Sequence, residues 1–400
     1  MSDSAEADAP GFHPNTASNA KNLSSKRLCV EGWRFIAHSY ALVNQWQLLA
    51  LLKRSDVRLS MRDVPYFRPH WQRSDGLFDA DEEKALAAIS DCDDVSDAIF
   101  RISYPFDFSL RPATRVAVFG TTEHQALGQA AFAAPIDLER LSASDSFVVI
   151  TPSGWSRAGF LALGLRPEQV RIVPHGVQTG IFRPSNRRRA GGEAKDAPFV
   201  FANASSMTGN KGSDLILRAF AAVAAKRPNV RLYLKGSDGL YPSRDLLNDL
   251  LSGLPSHDQH LVADRLRYYG ETGSARHMAA FYRAADAYVS PYRGEGFNLP
   301  VLEASACGTP VICTKGGATD DFVNSDFAYL IESRVTRVKV AGVAGSWLEP
   351  NIDHLIELMF RVMDDDAWRQ KASHAGAANA ANFTWDIVAE KLLDAIFVLP

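Results

Sequence analysis

The sequence has few cysteines, little excess charge and no long apolar run, and each shortage excludes a class of protein. Its four cysteines show neither the spacing of a zinc site nor a CxxC pair: Cys29, Cys92, Cys307 and Cys313. The formal net charge of -3 gives no reason to expect a nucleic-acid partner. No apolar run approaches the ~18 residues that a membrane-spanning helix needs. An ordinary globular protein remains.

The cysteines and the first residues indicate a compartment. Cys307 and Cys313 lie in apolar stretches, as buried thiols do, which favours a reducing compartment. Residues 1–26 are small and polar, lack the apolar stretch of a signal peptide, and are predicted to be a disordered tail. We therefore expect a cytoplasmic protein, with any membrane association at the inner face.

The order of apolar and helical segments predicts an α/β fold. Four hundred residues exceed what one core usually holds, so two domains are expected. Strand-like runs such as WRFIAH (33–38), VRLSM (57–61) and PFVFANA (198–204) alternate with helical patterns in both halves. This alternation favours two Rossmann-like, doubly wound parallel sheets, whose carboxyl-edge loops would face a central cleft.

The domain boundaries follow from composition. The polar stretch SNRRRAGGEAKDA (185–197) has the character of a linker. It separates a first domain, residues 27–184, from a second domain, residues 198–382. Residues 383–400 contain one more amphipathic helical pattern.

Two glutamates stand eight residues apart in GEGFNLPVLEASACGTPV (294–311). Glu295 follows a predicted strand, and Glu303 lies in the first turns of the next helix. A carboxylate accepts two hydrogen bonds at once, so Glu303 suits the vicinal diol of a ribose. Glu295 would lie nearer to a group attached to the terminal phosphate. The structural alternative is a solvated helix glutamate and an acidic residue before a helix N-terminus.

The segment TGNKGSD (208–214) also follows a predicted strand and opens a helix. Its glycines would let the backbone approach a phosphate, helix-end amides would face it, and Lys211 would add a cation. Amides of residues 297–299 would present a second cluster at the same sheet edge. An ordinary turn is the alternative.

Several segments, in order, resemble the retaining glycosyltransferases of family 4, also called group 1, which have the GT-B fold. EGFNLPVLEASACGTPVI is similar to their E-x7-E signature, and NKGSDLILRAF (210–220) to their lysine motif. VPHGVQTGIFRP (173–184) is similar to their interdomain segment. FTWDIVAEKLL, from Phe383, is similar to the terminal helix that crosses back to the first domain.

The resemblance implies roles for individual residues. Lys211 contacts the donor diphosphate, Glu303 binds ribose hydroxyls, and Glu295 lies by the donor sugar. Catalytic positions are then Glu295 and Lys211. The histidine that the family often has after the fourth strand has no clear counterpart here; His124, close behind that strand, is the third catalytic candidate, or else an ordinary loop residue. The implied donor site of the second domain comprises Lys211, Asn210, Ser206, Thr272, Gly296, Phe297, Asn298, Leu299 and Glu303. The first domain becomes the acceptor side, with His38, Asp107 and Glu123 as candidates that face the cleft, or else as ordinary loop residues.

One departure from the family concerns the diphosphate. The family usually has an arginine five residues before the lysine, where this chain has Ser206. The missing charge would come from Lys235 or Arg293, or be replaced by serine hydroxyls.

The expected function is transfer of a hexose from a nucleotide-diphosphate sugar, GDP-mannose or a UDP-hexose, to a hydroxyl of a saccharide or lipid-linked acceptor. The resemblance implies retention of configuration, no metal and no cofactor, since the nucleotide-sugar is a co-substrate. The alternatives are a catalytically degenerate nucleotide-binding protein, and a nucleotide-sugar epimerase or phosphorylase on the same fold.

Overall fold

The computed structural model describes residues 25–93, 95–185 and 197–398. Most of the predicted tail (1–26) and of the predicted linker (185–197) therefore lies outside the described residues. Within these ranges the chain forms two six-stranded sheets and one two-stranded sheet. The expected α/β class is confirmed.

The first sheet contains the strands β1 (Lys26–Gly32), β2 (Val57–Asp63), β3 (Ala98–Ile102), β4 (Arg115–Phe119), β5 (Phe147–Thr151) and β6 (Val170–Ile172). Its order is β2-β1-β3-β4-β5-β6, with every pair parallel. The helices of this part are α1 (Ser39–Leu52), α2 (Ala80–Ala87), α3 (Leu138–Ala143) and α4 (Gly154–Leu163). All of β5 is buried, as expected for a parallel strand covered on both faces.

One predicted strand of this sheet was wrong. The run WRFIAH (33–38) is the loop between β1 and α1, and the strand is the preceding segment, Lys26–Gly32. Both segments are apolar, and Trp33, Phe35 and Ile36 are buried in the first core. Hydrophobicity therefore did not distinguish a strand from a buried loop.

The second sheet contains β7 (Phe199–Ala204), β8 (Val230–Lys235), β9 (Leu266–Tyr269), β10 (Ala287–Ser290), β11 (Val311–Thr314) and β12 (Ala328–Ile331). Its order is β12-β11-β10-β7-β8-β9, again all parallel. Its helices are α5 (Ser213–Lys226), α6 (Ser243–Ser252), α7 (Ser256–Ala263), α8 (Ala275–Arg283), α9 (Leu299–Ala306), α10 (Ile352–Asp364) and α11 (Asp366–Ala380).

An antiparallel hairpin follows β12 and was not predicted. Its strands are β13 (Ser333–Val340) and β14 (Val343–Pro350). Ala341 and Gly342 form the turn, with φ of 47° and 83°. Positive φ at both central residues is typical of the tight turn that matches the twist of a hairpin.

The last helix, α12 (Trp385–Phe397), packs in the core of the first sheet. The backbone N–H of Val177 donates to the carbonyl of Phe383 at 2.7 Å, where the chain returns from the second sheet. Arg115 donates to the carbonyl of Ile396 at 2.7 Å, near the end of α12. None of the helices in the described ranges is long and apolar enough to cross a membrane.

Cys29 and Cys92 form a disulfide, whereas Cys307 and Cys313 are free and buried. The pair is 63 residues apart in sequence. A bridge between Met61 and Asp91 lays the segment after α2 along β2, beside β1, and so brings the two cysteines together. A disulfide is uncommon in a reducing compartment, so this pair does not agree with the reducing compartment expected from the sequence.

Leu392→Ala should remove about 2–5 kcal/mol from the free energy of unfolding, because Leu392 is fully buried where α12 meets the first core. Denaturant titration measures the loss, with Lys391→Ala, at the exposed neighbouring position, as the control. Equal, small effects of the two substitutions would contradict this packing.

Candidate functional site

A lysine held between two carboxylates lies where the loops of the two sheets meet. The Nζ atom of Lys211 is 2.8 Å from Oε1 of Glu123 and 2.9 Å from Oε2 of Glu295. Lys211 precedes α5, Glu295 precedes α9, and Glu123 follows β4 of the first sheet. The side chains of Lys211 and Glu295 are each 15% exposed, and that of Glu123 is 41% exposed. Three loops thus bring one cation and two anions together.

Burial alone would disfavour the charged form of Lys211, but the two carboxylates outweigh it, and the pKa of Lys211 is raised. Burial raises the pKa of Glu295, and the charge of Lys211 opposes that shift. The three side chains therefore form a coupled group whose charges depend on one another.

Close backbone contacts require glycine around this group. A Cβ at Gly212, where φ is +70°, would lie 2.0 Å from the carbonyl oxygen of Pro291. A Cβ at Gly294 would lie 2.7 Å from both the carbonyl oxygen of Glu123 and Nδ1 of His124. These glycines allow the loop that carries Lys211, the loop that carries Glu295 and the first-domain loop to touch.

Glu303 lies in α9 and accepts a hydrogen bond from the hydroxyl of Tyr282 at 2.7 Å. Burial raises the pKa of Glu303 to about 7, and the hydrogen bond from Tyr282 opposes the shift. Tyr282 is fully buried in α8 and was not among the residues expected at the site. Its only sequence signal is its place in the apolar pattern of that helix.

The other residues predicted for the donor site lie at the same sheet edge, but the side chains of several already bond to neighbouring residues. Asn210 donates to Oε2 of Glu123 and to the carbonyl of Gly294, each at 3.0 Å. The hydroxyl of Ser206 lies 2.9 Å from that of Thr208. Thr272 is exposed after β9, the edge strand two positions from β7.

The segment 296–299 begins α9. Asn298 has φ of 74° and donates to Oγ of Ser290 at 2.9 Å, while Leu299 is the first residue of the helix. The ring of Phe297 is buried and stacks on Phe322. The carbonyl of Gly296 accepts a hydrogen bond from Oγ of Ser153 at 2.7 Å, another link between the two sheets.

The two cations suggested in place of the family's arginine differ in their surroundings. Arg293 donates to Asp214 at 2.7 and 2.9 Å and to Glu349 at 3.1 Å, so its charge is already neutralised. Lys235 donates to the carbonyl of Gly236 at 2.5 Å, and burial lowers its pKa. Of the two, Lys235 is thus the one without a carboxylate ion pair among the described residues.

The first-domain candidates separate into two groups. Glu123 joins Lys211, as described above. His38 caps α1, accepts a hydrogen bond from the backbone N–H of Tyr40, and packs on Trp71; burial lowers its pKa to about 4. Asp107 instead caps its own turn through the N–H of Ser109 and pairs with Arg101 at 3.4 Å.

His124 lies between the Lys211 loop and the hairpin. Its carbonyl accepts a hydrogen bond from the N–H of Ser346 at 2.8 Å, and its ring centroid is 6.4 Å from that of Trp347. Among the described residues its Nδ1 has no hydrogen-bond partner. Burial lowers the pKa of His124, so the ring is neutral near pH 7.

The β13–β14 hairpin, which contacts His124, was not predicted. Its sequence signal was the mixture of valines and polar residues around Ala341-Gly342.

Comparison with known sequences agrees with the resemblance seen in the motifs. Residues 198–342 match the family model described as "Glycosyl transferases group 1". The D-inositol 3-phosphate glycosyltransferase of Segniliparus rotundus is 30% identical over 233 residues, covering 57% of this chain and 46% of the relative. The protein of that name from Mycobacterium tuberculosis is 32% identical over 244 residues, covering 58% and 44%. The chain spans about half the length of the curated relatives it matches.

Solved structures share the two-domain fold. A glycosyltransferase from Rickettsia africae superposes with a TM-score of 0.67 at 12% identity, covering 93% of this chain and 98% of the other. Sucrose-phosphate synthase from Thermosynechococcus elongatus gives 0.64 at 17% identity, with 92% and 97% covered. Anabaena HepE, solved with UDP and glucose, gives 0.63 at 13% identity, with 93% and 99% covered. The predicted GT-B architecture is confirmed.

Glu303→Gln should alter how stability depends on pH. The pKa of Glu303 is about 7 in the folded protein, against 4.5 when unshifted, so the folded state holds a proton that the unfolded state releases between these values. Wild-type stability therefore falls as pH rises through this window, by on the order of 3 kcal/mol. Glutamine removes the titration and still accepts the hydrogen bond from Tyr282.

Denaturant titrations at pH 5 and pH 8 test this expectation. The variant should gain stability relative to the wild type on going to pH 8, whereas Glu357→Gln, at an exposed position in α10, should not. A pH-independent difference between Glu303→Gln and the wild type would refute the raised pKa.

Proposed function

We propose that this chain, whose residues 198–342 match the group 1 glycosyl transferases, transfers a hexose from a nucleotide-diphosphate sugar to a hydroxyl of a saccharide or lipid-linked acceptor. The observation that carries the proposal is the Lys211 group, in which one cation and two carboxylates meet at the junction of two sheet edges. Glu303 lies about one turn into helix α9, which follows Glu295. The names of the sequence relatives agree with this activity.

Each residue has a role in this proposal. Lys211 and the amides at the start of α9 stabilise the diphosphate leaving group. Glu303, ionised, accepts hydrogen bonds from the ribose diol, and Glu295 from hydroxyls of the donor sugar. HepE, a structural neighbour, was solved with UDP and glucose. A UDP-hexose is therefore to be compared with GDP-mannose, the other donor expected from the sequence.

The proposed transfer proceeds on one face of the sugar. The bond between the anomeric carbon and the phosphate oxygen breaks, and a bond from that carbon to the acceptor oxygen forms on the same side. The acceptor proton passes to the leaving phosphate, so no protein base is required. His124, neutral at pH 7, would serve as a hydrogen-bonding group for the sugar. A product of inverted configuration would refute this mechanism.

Metal independence is part of the proposal. Within the described ranges, no group of three or more His, Cys, Asp or Glu side chains is arranged to hold a metal ion. Whether the reaction needs a metal is decided by turnover with and without a chelator.

The acceptor class is also part of the proposal. The two relatives compared above are named for D-inositol 3-phosphate, but they match only 57% and 58% of this chain. Inositol phosphate therefore belongs among the trial acceptors beside saccharides and lipid-linked sugars. With a lipid-linked acceptor, we would expect the protein to work at the inner face of the cytoplasmic membrane.

The donor site predicts a selective response to nucleotides. UDP or GDP, and the matching hexose conjugate, should raise the melting temperature of the wild type, because the ligand binds only the folded state. Glu303→Ala and Lys211→Met should abolish the rise. The controls are Glu357→Ala and Lys226→Met, at exposed positions of the same domain.

Turnover with donor and acceptor completes this test. No thermal response to any nucleotide would overturn the donor-site assignment. A response without release of nucleotide from any donor would instead support a degenerate nucleotide-binding protein.

Glu123→Gln should bind the donor nucleotide more tightly than the wild type. A donor diphosphate needs the charge of Lys211, and Glu123, the more exposed of its two partners, competes for it. Removing one competing charge is worth ~1 kcal/mol or more, which corresponds to about fivefold in Kd.

Calorimetric titration measures that Kd, with Glu139→Gln, at an exposed position of the first domain, as the matched control. Weaker binding by Glu123→Gln would show that Glu123 contacts the donor rather than competing with it.

A further inference from the structure

Tyr282 links helix α8 to helix α9, which carries Glu303. The side chain of Tyr282 is fully buried, and its ring packs edge-on against that of Tyr288 of β10, with centroids 5.6 Å apart. Its backbone carbonyl accepts a hydrogen bond from Oγ1 of Thr309 at 2.9 Å, which ties the end of α8 to the segment after α9. The hydroxyl of Tyr282 donates to Oε2 of Glu303 at 2.7 Å. Packing and hydrogen bonds therefore fix this hydroxyl relative to α9.

The hydrogen bond engages one oxygen of the Glu303 carboxylate and leaves the other free. No second residue in the described part of the chain donates a hydrogen bond to this side chain. Each carboxylate oxygen has two acceptor positions, so Oε1 of Glu303 keeps both of its own. Glu303 can therefore accept from a vicinal diol while Tyr282 holds its orientation.

The need of Tyr282 for an acceptor does not explain a carboxylate at this place. A buried tyrosine hydroxyl needs a partner, and a neutral oxygen is enough. The neighbouring Tyr288 shows this, since its hydroxyl donates to the backbone carbonyl of Ala204 at 3.2 Å. A carboxylate is costlier to bury, and burial raises the pKa of Glu303 to about 7. The pairing is accounted for if the charge of Glu303 is used.

We propose that Tyr282 is a positioning residue for recognition of the donor ribose, whose hydroxyl orients Glu303 and keeps its carboxylate ionised. This inference rests on the proposed function. A protonated Glu303 would offer a donor in place of one acceptor, and an unbonded one would be free to rotate away from the ribose. The hydroxyl of Tyr282 opposes both changes, because it stabilises the charged form and fixes Oε2.

The elements around Glu303 carry other ionisable side chains near it, namely Tyr288 on β10, Cys307 after α9, Arg283 on α8 and Glu295 on the loop before α9. Burial raises the pKa of Tyr288, and that of Cys307 to about 12, so both are neutral near pH 7. Arg283 donates to the carbonyl of Ile181, and Glu295 is paired with Lys211. Helix α11 contacts α9 at Ser305, on another side of the helix from Glu303. Tyr282 is thus the group whose change should alter the ionisation of Glu303.

Calorimetric titration of the full chain with nucleotides tests the ribose role. The ligands are UDP and GDP, each compared with its 2′,3′-dideoxy analogue, which lacks the diol. The wild type should bind the preferred ribonucleotide about tenfold more tightly than its analogue. Tyr282→Phe should weaken ribonucleotide binding by about tenfold and change binding of the analogue by less than about twofold, so the discrimination disappears.

The matched control is Tyr288→Phe. It also removes one hydroxyl from a fully buried tyrosine, but that hydroxyl bonds the backbone of Ala204 rather than Glu303. This variant should keep the wild-type ratio between ribonucleotide and dideoxy analogue. Melting temperatures of both variants, measured without ligand, show how far each change disturbs the fold.

The pH dependence of stability gives a second readout, which needs no nucleotide. The contribution of Glu303 is the difference in stability between a protein and its Glu303→Gln counterpart. In the wild type this contribution falls as pH rises above 4.5 and levels off above about pH 7, where folded Glu303 has released its proton. Loss of the hydrogen bond in Tyr282→Phe raises the folded pKa further, so the levelling should occur roughly one pH unit higher. Denaturant titrations from pH 5 to pH 9 measure the shift.

The outcomes separate this inference from the proposed function. Equal losses of affinity for ribonucleotide and analogue in Tyr282→Phe, or a pH profile like that of the wild type, would overturn the inference alone, since Tyr282 would then serve only the fold. A wild type that binds no nucleotide, or binds ribonucleotide and analogue equally, would overturn the ribose role of Glu303 and the inference with it. Discrimination lost in Tyr282→Phe and kept in Tyr288→Phe would support both.

Discussion

The ion group of Lys211, Glu123 and Glu295 is the interaction on which the geometry of the cleft depends. A largely buried ammonium is tolerated only when carboxylates compensate it, and here one carboxylate comes from each domain. The loops can approach this closely because Gly212 and Gly294 leave room for Pro291 and His124. Charge compensation and domain contact are therefore one constraint: separating the domains would leave Lys211 with half of its counter-charge.

The same constraint determines how a diphosphate could be held. Ser206 brings no charge, and Arg293 is committed to Asp214 and Glu349, so on the proposed function the demand would fall first on Lys211. Because one partner of Lys211 belongs to the first domain, a phosphate that replaces Glu123 also removes a contact between the domains. On the proposed function, donor binding and the opening of the cleft would then be coupled in free energy.

The sequence predicted the features that local pattern determines. The α/β class and the placement of Lys211, Glu295 and Glu303 at one sheet edge follow from strand–loop–helix order, which a short stretch of sequence reveals.

Contacts between distant segments could not be predicted from the sequence pattern. The pairing of Lys211 with Glu123 and of Cys29 with Cys92 depends on how whole elements pack. Asp107 was indistinguishable from Glu123 by pattern, since both follow strands of one sheet, yet Asp107 bonds its own turn and Arg101. The hairpin had a local signal, the Ala341-Gly342 turn, but family resemblance gave no reason to expect strands there.

The first-domain loop that follows β4 connects these features physically. Glu123 uses its side chain for Lys211 and its carbonyl for the indole N–H of Trp155, while the carbonyl of His124 accepts from Ser346 of the hairpin. Two consecutive residues thus bind Lys211, the first-domain helix α4 and the β13–β14 hairpin. A displacement of the hairpin against the first domain must pass through this backbone, because Ser346 bonds it directly. The loop therefore joins the charge state of the cleft to the position of the hairpin through two adjacent residues.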